Sequence, residues 1–375
     1  MKKNTGDSGE KYKIVLTGGH AATVAVAVAE KLKSSKFDWD VHWIGVKRAI
    51  EGKPVVTLES RVLPKLGVKC HNIVAGRIQK KFSIWTIPSF LKIPLGFVSA
   101  FRLIWQIKPS VVLSFGGFAA FPVVVSSWIL RRKVIIHEQT MTAGRANIAS
   151  APFATLIALA RENSKKYFDN KKVRVVGNPL MDGIIQISHK ASIGVPPTIF
   201  ITAGSRGSLF INKLIRDLVA KLLENYKVIH QTGELDYENF IKYRNSLINK
   251  NNYQVFSTID PLKMPEMYKN ADIVVARSGA NTVAEIISLK IPTVFIPLPH
   301  TYKNEQIKNA KFAKKMGVGR VLMQDEASPD NLFEEIKFLE KNWVDIKKKT
   351  KNYQNMDSNA SGKVVEILEE CVEKI

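Results

Sequence analysis

Three turns of small residues close apolar runs in this chain: Thr17-Gly18-Gly19-His20, Ser114-Phe115-Gly116-Gly117-Phe118 and Ala203-Gly204-Ser205-Arg206-Gly207. Glycine lets backbone N–H groups approach a phosphate closely, and the N-terminus of a following helix adds a favourable field. One such turn would serve any strand-to-helix junction equally well; three together point to a phosphorylated ligand. None completes the G-x-G-x-x-G fingerprint of a dinucleotide site, which argues against a dehydrogenase. A fourth segment, Arg277-Ser278-Gly279-Ala280-Asn281-Thr282-Val283-Ala284-Glu285, follows another apolar run and opens a helix. Ser278 and the loop amides could bind phosphate. Glu285, about two turns into the helix, either accepts hydrogen bonds from two ribose hydroxyls or is a solvated helix carboxylate.

Two histidines face a similar choice. His20 is either a general base for a hydroxyl nucleophile or a capping and packing residue. His137-Glu138, after the run Val134–Ile136, has the same two readings. Asp38-Trp39-Asp40 has the D-x-D form of some metal-dependent sugar-nucleotide sites, but it lies between the first helix and the second strand and reads as a turn.

Positioning these residues falls to short β-branched runs alternating with longer helical patterns. They are Tyr12–Leu16, Val41–Ile44, Val111–Phe115, Val134–Ile136, Leu156–Ala158 and Val173–Val176, then Thr198–Thr202, Lys227–His230, Tyr253–Phe256, Ile273–Ala276, Thr293–Ile296 and Arg320–Met323. Such runs are expected of buried parallel strands linked by helices. Both halves begin with a buried strand, a threonine and a small-residue turn. The pattern predicts an α/β fold of two Rossmann-like, doubly wound domains, with Met181–Pro197 as linker. Ligands of such folds sit at the carboxyl ends of strands, here in a cleft faced by both domains.

A length of 375 residues suits two domains. Cys70 and Cys371 alone exclude a disulfide framework and a cysteine-rich zinc site. The N-terminus lacks the apolar stretch of a secretory signal, and residues 1–10 read as a disordered lead-in. The formal charge of +23 calls for an anionic partner. With no zinc finger, RNP-type motif or long basic run, nucleic acid is set aside in favour of a membrane surface or phosphorylated substrates. The stretch Ile84–Ile107 is long enough to span a bilayer, but Pro88, Lys92, Pro94, Gly96 and Arg102 argue against a span. Trp85, Ile87, Phe90, Leu91, Ile93, Leu95 and Phe97 beside Arg77, Lys80, Lys81 and Lys108 form either a membrane-surface patch or an ordinary buried helix plus loop.

Together these motifs resemble the MurG family, GT-B glycosyltransferases that add N-acetylglucosamine to lipid I in peptidoglycan synthesis. The resemblance covers nearly the whole chain after residue 11. It runs through His20, Gly116-Gly117-Phe118 with Pro122, His137-Glu138-Gln139, Gly177-Asn178-Pro179, Gly204-Ser205-Arg206-Gly207 with Asn212, Met264-Pro265-Glu266-Met267-Tyr268, Arg277-Ser278-Gly279-Ala280, Glu285, and Gln306 with Asn309-Ala310. It implies an acceptor and membrane-docking domain over 11–183, a UDP-sugar domain over 184–350, and a last helix within 351–375 packing back on the first. It implies that Ile259 reads uracil, Glu285 holds ribose, and Ser205 and Ser278 meet the diphosphate. Glu305, Gln306 and Asn309 would line the sugar. Gly204, Arg206, Asn212, Gly279, Ala280 and Thr282 complete the expected donor set. Thr17, Gly18, Gly19, Gly116, Gly117, Phe118 and Glu138 would take the acceptor, the N-terminal turns and His20 meeting the lipid diphosphate and the attacking 4-hydroxyl, with His20 as catalytic base. The partners implied are UDP-GlcNAc as substrate, an undecaprenyl-linked lipid and an anionic membrane, met peripherally at the cytoplasmic face of the plasma membrane. No cofactor, and no metal at the nucleotide, is implied.

The chain departs from the family pattern at Val15-Leu16, Thr23, Phe118, Thr140, Met181 and Glu305, mostly on the acceptor side. Two other readings stay open: a relative with another lipid acceptor such as a diacylglycerol, and a UDP-sugar-binding protein without turnover.

Overall fold

The structure is a computed structural model that describes residues 11–19, 21–48, 56–74, 86–204, 206–353 and 355–373, with the side chains of 86–92 left out. His20, Ser205, the lead-in 1–10, and Arg77, Lys80, Lys81, Ile84 and Trp85 therefore lie outside the described residues, as do the side chains of Ile87, Phe90, Leu91 and Lys92. The chain divides into two compact units. The first runs to Asp182 and takes up the chain again at Met356; the second is Gly183–Asn355.

In the first unit, β1 (Tyr12–Thr17), β2 (Trp39–Gly45), β3 (Lys69–Asn72), β4 (Val111–Ser114), β5 (Lys133–Glu138), β6 (Leu156–Leu159) and β7 (Val173–Val175) form a sheet in the order β3-β2-β1-β4-β5-β6-β7. Every pairing is parallel. Its helices are α1 (Ala22–Leu32), α2 (Leu58–Val62), α3 (Thr86–Ile107), α4 (Ala120–Ile129) and α5 (Arg145–Ser150), while α6 (Asp182–Ile185) begins the passage to the second unit. The winding reverses between β1 and β4, which brings the first two glycine turns side by side at the carboxyl ends of neighbouring strands. Ile14, Val15 and Leu16 of β1 are fully buried, as a strand covered on both faces requires.

The second unit repeats the plan. Strands β8 (Thr198–Thr202), β9 (Lys227–Gln231), β10 (Tyr253–Phe256), β11 (Ile273–Ala276), β12 (Thr293–Phe295) and β13 (Gly319–Val321) lie in the order β10-β9-β8-β11-β12-β13, again all parallel. The helices are α7 (Leu209–Leu222), α8 (Tyr237–Ser246), α9 (Met264–Asn270), α10 (Ala280–Leu289), α11 (Glu305–Lys315), α12 (Pro329–Lys341) and α13 (Trp343–Thr350). Helix α7 buries Ile211, Leu214, Ile215, Leu218, Val219 and Leu222 along one stripe, the spacing of an amphipathic helix on a sheet. The switch between β8 and β11 sets the third glycine turn beside the Arg277 loop.

The last helix, α14 (Ala360–Glu373), belongs to the first unit and packs on α1. Asp357, just before it, receives both Arg161 guanidinium nitrogens at 2.6 and 2.7 Å and the Asn178 amide at 2.8 Å. The carboxylate is 1% exposed. Losing either partner would leave a buried charge unpaired, so this contact fixes where the chain returns.

Three expectations need correction. Asp38-Trp39-Asp40 is not a turn: Trp39 and Asp40 begin β2, and Asp40 accepts from His42 at 3.1 Å and Lys69 at 2.9 Å. Strand β3, Lys-Cys-His-Asn, went unforeseen because an edge strand carries no apolar run. The stretch ending at Ile107 is one helix of 22 residues rather than a helix plus loop. Pro88 falls in its first turn, where an N–H has no intrahelical partner, and Pro94 removes a single interior bond. Among the described residues no helix is long and apolar enough to cross a membrane.

Candidate functional site

In the second unit, the carboxyl ends of β8 and β11 carry two turns with space above them. A methyl group built on Gly204 or on Gly279 would meet nothing within 4 Å. Gly279 caps α10, and no side chain hydrogen-bonds that cap. The helix start at Gly279 and Ala280, with no side-chain cap, is the kind of place where an anion meets backbone amides and the positive end of the helix dipole. Thr282 is half-buried in the first turn of this helix, and Arg206 is exposed in the third glycine turn.

Glu285 lies deeper in α10 and is only 5% exposed, so the solvated-carboxylate reading fails. It accepts a hydrogen bond from the Tyr268 hydroxyl at 2.9 Å. Burial pushes its carboxyl up to about 7, against the lowering effect of that hydrogen bond. Tyr268 is itself driven well above the usual phenol range, first by burial and then by the adjacent carboxylate. A carboxylate that titrates near neutrality behind an open helix start is well suited to accept hydroxyl donors.

Arg277 opens the segment before α10 and is given no role of its own by its place in the motif. It is 8% exposed, and its guanidinium donates to the Ile296 and Pro297 carbonyls at 3.0 and 3.2 Å and to Ser208 Oγ and Gln324 Oε1, both at 2.9 Å. Burial lowers it to about 10. It ties the turn after β8 to the turns after β11 and β12. Ser278 donates through Oγ to the Gln306 carbonyl at 2.8 Å and is fully buried, so its hydroxyl holds the start of α11 in place. Asn309 donates to the Ser278 carbonyl at 3.1 Å, and Gln306 Oε1 accepts from the Leu298 amide at 2.9 Å. Glu305 and Gln306, both half-buried, open α11, and Ile259 is 6% exposed after β10. The direct donor contact expected of Asn212 is corrected. Its amide donates to the Thr232 carbonyl and Asp236, its oxygen meets His230 Nε2, and it is 2% exposed. It braces the base of α7.

The first unit is built differently. Its two glycine turns pack backbone against backbone: the Gly19 amide donates to the Gly116 carbonyl at 2.9 Å. Gly117 sits at φ +92, and a methyl group there would lie 2.8 Å from Gly19 N. Neither turn has the open face of its counterparts. Thr17 is fully buried and donates to the Ile44 carbonyl at 2.8 Å, so its expected acceptor contact is also corrected. Gly18 and Gly116 are buried, and Phe118 is half-buried.

Glu138 was expected at the acceptor. Its two carboxylate oxygens take four donors: Thr140 N, Thr140 Oγ1, Gly144 N and Asn147 Nδ2. With 1% exposure it is a brace for the loop after β5 rather than a ligand contact. His137 is fully buried between the Gly177 carbonyl and Gln139, and burial lowers it to about 4. With both ring nitrogens engaged and no exposure, it packs inside the protein. Met181, where the family pattern has arginine, is 2% exposed. Glu59, which the sequence reading did not notice, accepts from the Ala21 amide at 2.7 Å at the start of α1.

Residues 16–159 match the glycosyltransferase family 28 N-terminal domain, and residues 198–369 match the family 28 C-terminal domain. A UDP-N-acetylglucosamine–N-acetylmuramyl-(pentapeptide) pyrophosphoryl-undecaprenol N-acetylglucosamine transferase from Clostridium novyi is 30% identical, over 97% of this chain and 99% of its own. One of the same description from Clostridium tetani is 29% identical over 96% and 98%. Among solved structures, MurG from Acinetobacter baumannii superposes with a TM-score of 0.65 at 24% identity, covering 96% of this chain and 99% of that one. A UDP-GlcNAc 2-epimerase from Neisseria meningitidis bound to UDP-GlcNAc gives 0.66 at 17% identity, covering 96% and 100%.

Proposed function

The chain belongs to glycosyltransferase family 28, and from that premise we propose that it transfers N-acetylglucosamine from UDP-GlcNAc to the 4-hydroxyl of the N-acetylmuramyl sugar of undecaprenyl-diphosphate-linked lipid I, forming lipid II for peptidoglycan. The hydroxyl oxygen attacks the anomeric carbon with inversion while the sugar–phosphate bond breaks and UDP leaves with the bonding electrons. The proton of the hydroxyl goes to a general base, a role assigned to His20 on its sequence position.

One observation carries the donor site: the buried Glu285–Tyr268 pair behind the uncapped start of α10. In this reading the diphosphate meets the amides at Gly279 and Ala280 and those of the turn at Gly204. The ribose hydroxyls donate to Glu285, the uracil lies against the Ile259 backbone, and Glu305 and Gln306 face the sugar. The charge of the diphosphate is met by oriented amides and by Arg206, with no metal assigned to it and no cofactor.

The lipid acceptor places the work at the cytoplasmic face of the plasma membrane, with the protein bound peripherally. The described surface that supports docking is the face of α3 that exposes Leu95, Val98, Phe101 and Trp105 beside Arg102, joined by Trp128 and Ile129 of the adjoining α4. Aromatic side chains among cations suit an anionic bilayer surface.

The test is an assay with radiolabelled UDP-GlcNAc and lipid I. Label in a disaccharide lipid with stoichiometric UDP release is expected. UDP release only with a diacylglycerol would replace the acceptor, and donor binding without any UDP release would remove the enzymatic reading.

A further inference from the structure

Helix α13 carries Lys347 one turn after Trp343, so the two side chains share a face, and the ammonium lies 5.3 Å from the indole ring. Trp343 is anchored: it is 2% exposed, and its indole N–H donates to the Asp272 carbonyl at 3.1 Å. Lys347 is half-buried beside it and shares a recess with His189, Lys190, Asp272, Leu289 and Ile291. Among the described residues its hydrogen-bond acceptor is the Leu289 carbonyl at 3.5 Å, the outer limit of such a bond. That carbonyl is already bonded to His189 Nδ1 at 3.0 Å.

The acidic group of the recess is committed elsewhere. Asp272, its side chain 1% exposed, accepts from Lys190 Nζ and the Thr198 amide at 2.8 Å each and from the Gly194 amide at 3.1 Å. Lys290, at the end of α10, donates its Nζ to the Lys351 carbonyl at 2.7 Å and adds a second cation beside Lys347. His189, lowered first by burial, brings no negative charge. An ammonium at Lys347 is thus partly desolvated, held by one long hydrogen bond and repelled by Lys190 and Lys290. Burial, and then these two lysines, lower it to about 8 against the pull of Asp272. A neutral amine relieves the misfit. An anion in its place would turn both repulsions into attractions.

We propose that Lys347 is a modification site that takes up carbon dioxide as a carbamate. The amine lone pair attacks the carbon and forms the N–C bond, one C=O π pair moves onto oxygen, and the nitrogen gives up a proton to water. No leaving group and no oxidant or reductant is needed. The new carboxylate has Lys190 and Lys290 as its counter-charges. Because Lys347 is half-buried, carbon dioxide reaches it from solvent and the adduct need not be enclosed. Neither the sugar donor nor the lipid acceptor takes part.

The full-length protein is held in bicarbonate buffer, carbamates are trapped as ethyl esters with triethyloxonium, and the esters are located by mass spectrometry. Lys348 and Lys349, exposed on the same helix, are the internal controls. At about pH 8, trapping at Lys347 should exceed that at either control by about tenfold or more. At constant dissolved carbon dioxide it should fall by about tenfold or more on going to about pH 6.5, as the amine is protonated. Lys290→Gln removes a counter-charge and should lower trapping at Lys347 by about threefold, with Lys348 and Lys349 unchanged. Equal trapping at the three lysines, a pH-independent yield at Lys347, or an unchanged yield there in Lys290→Gln overturns the proposal. The first two outcomes are read on wild type, so the test does not depend on the variant folding.

Discussion

The glycine turns of the first unit and those of the second share a sequence pattern and a place at strand ends, yet they use glycine for opposite purposes. Gly117 lets two turns close on each other, since a side chain there would strike the Gly19 backbone at 2.8 Å. Gly204 and Gly279 face open space. The start of α1 is occupied by the Glu59 carboxylate, while the start of α10 has no side-chain cap. A glycine-rich turn therefore signals close backbone approach, and only the surroundings decide whether the approaching group is a ligand or another turn.

This contrast can be broken most sharply by adding one methyl group. Gly117→Ala places Cβ against Gly19 backbone at a left-handed φ, so it should destabilise the first unit by about 2–4 kcal/mol in urea unfolding. Gly279→Ala, at φ −62 with nothing within 4 Å, should change stability by less than about 0.5 kcal/mol. Equal stability losses would erase the distinction between closed and open turns.

Next in size is Glu285→Ala. A hydrogen bond to a charged group contributes about 1.5–3 kcal/mol, so losing it should weaken UDP-GlcNAc binding by roughly ten- to a hundredfold in calorimetry. Unchanged donor affinity would detach Glu285 from the ribose.

A smaller effect concerns pH. Burial raises the Glu285 carboxyl to about 7, and hydroxyl donors favour its ionised form. Donor affinity should rise with pH through about 7 and level off above it, with proton release on binding. In the free protein the sign is opposite: a raised carboxyl contributes most to stability below its unfolded value of 4.5, and that contribution fades as pH climbs toward 7. Glu285→Gln should flatten both dependences, as calorimetry in buffers of different ionisation heat and thermal melts would reveal.

The smallest expected effect is on the membrane. Replacing Val98 and Trp105 with serine should lower the salt-resistant binding to anionic vesicles by about three- to tenfold, the loss of roughly 25–55 Å² of partly inserted apolar surface at about 25 cal/mol per Å². Co-sedimentation at high salt measures it, and unaltered sedimentation would move the docking face elsewhere.

What the sequence makes legible follows the same physics. Ile14–Leu16 and Ile273–Ala276 stand out because strands covered on both faces must be apolar throughout. Lys69–Asn72 does not, because an edge strand of this sheet is half-exposed. Glu285 could be placed on its helix by spacing, but its burial could not, since Tyr268 reaches it from α9. Glu59 was invisible because its partner Ala21 lies 38 residues earlier and meets it only through the fold. The asparagine and glutamate side chains assigned to ligands, Asn212 and Glu138, were recognised as polar and important, but a sequence does not reveal how many protein donors and acceptors will surround them.

The division of labour between open and closed turns is tested most directly by hydrogen exchange with mass spectrometry, with and without UDP-GlcNAc. Slower exchange at segments 203–208 and 277–285, together with the stretches around Ile259 and Glu305–Gln306, with 16–21 and 114–118 unchanged, is the predicted result; protection of the first-unit turns with the second-unit segments unaffected would contradict the account.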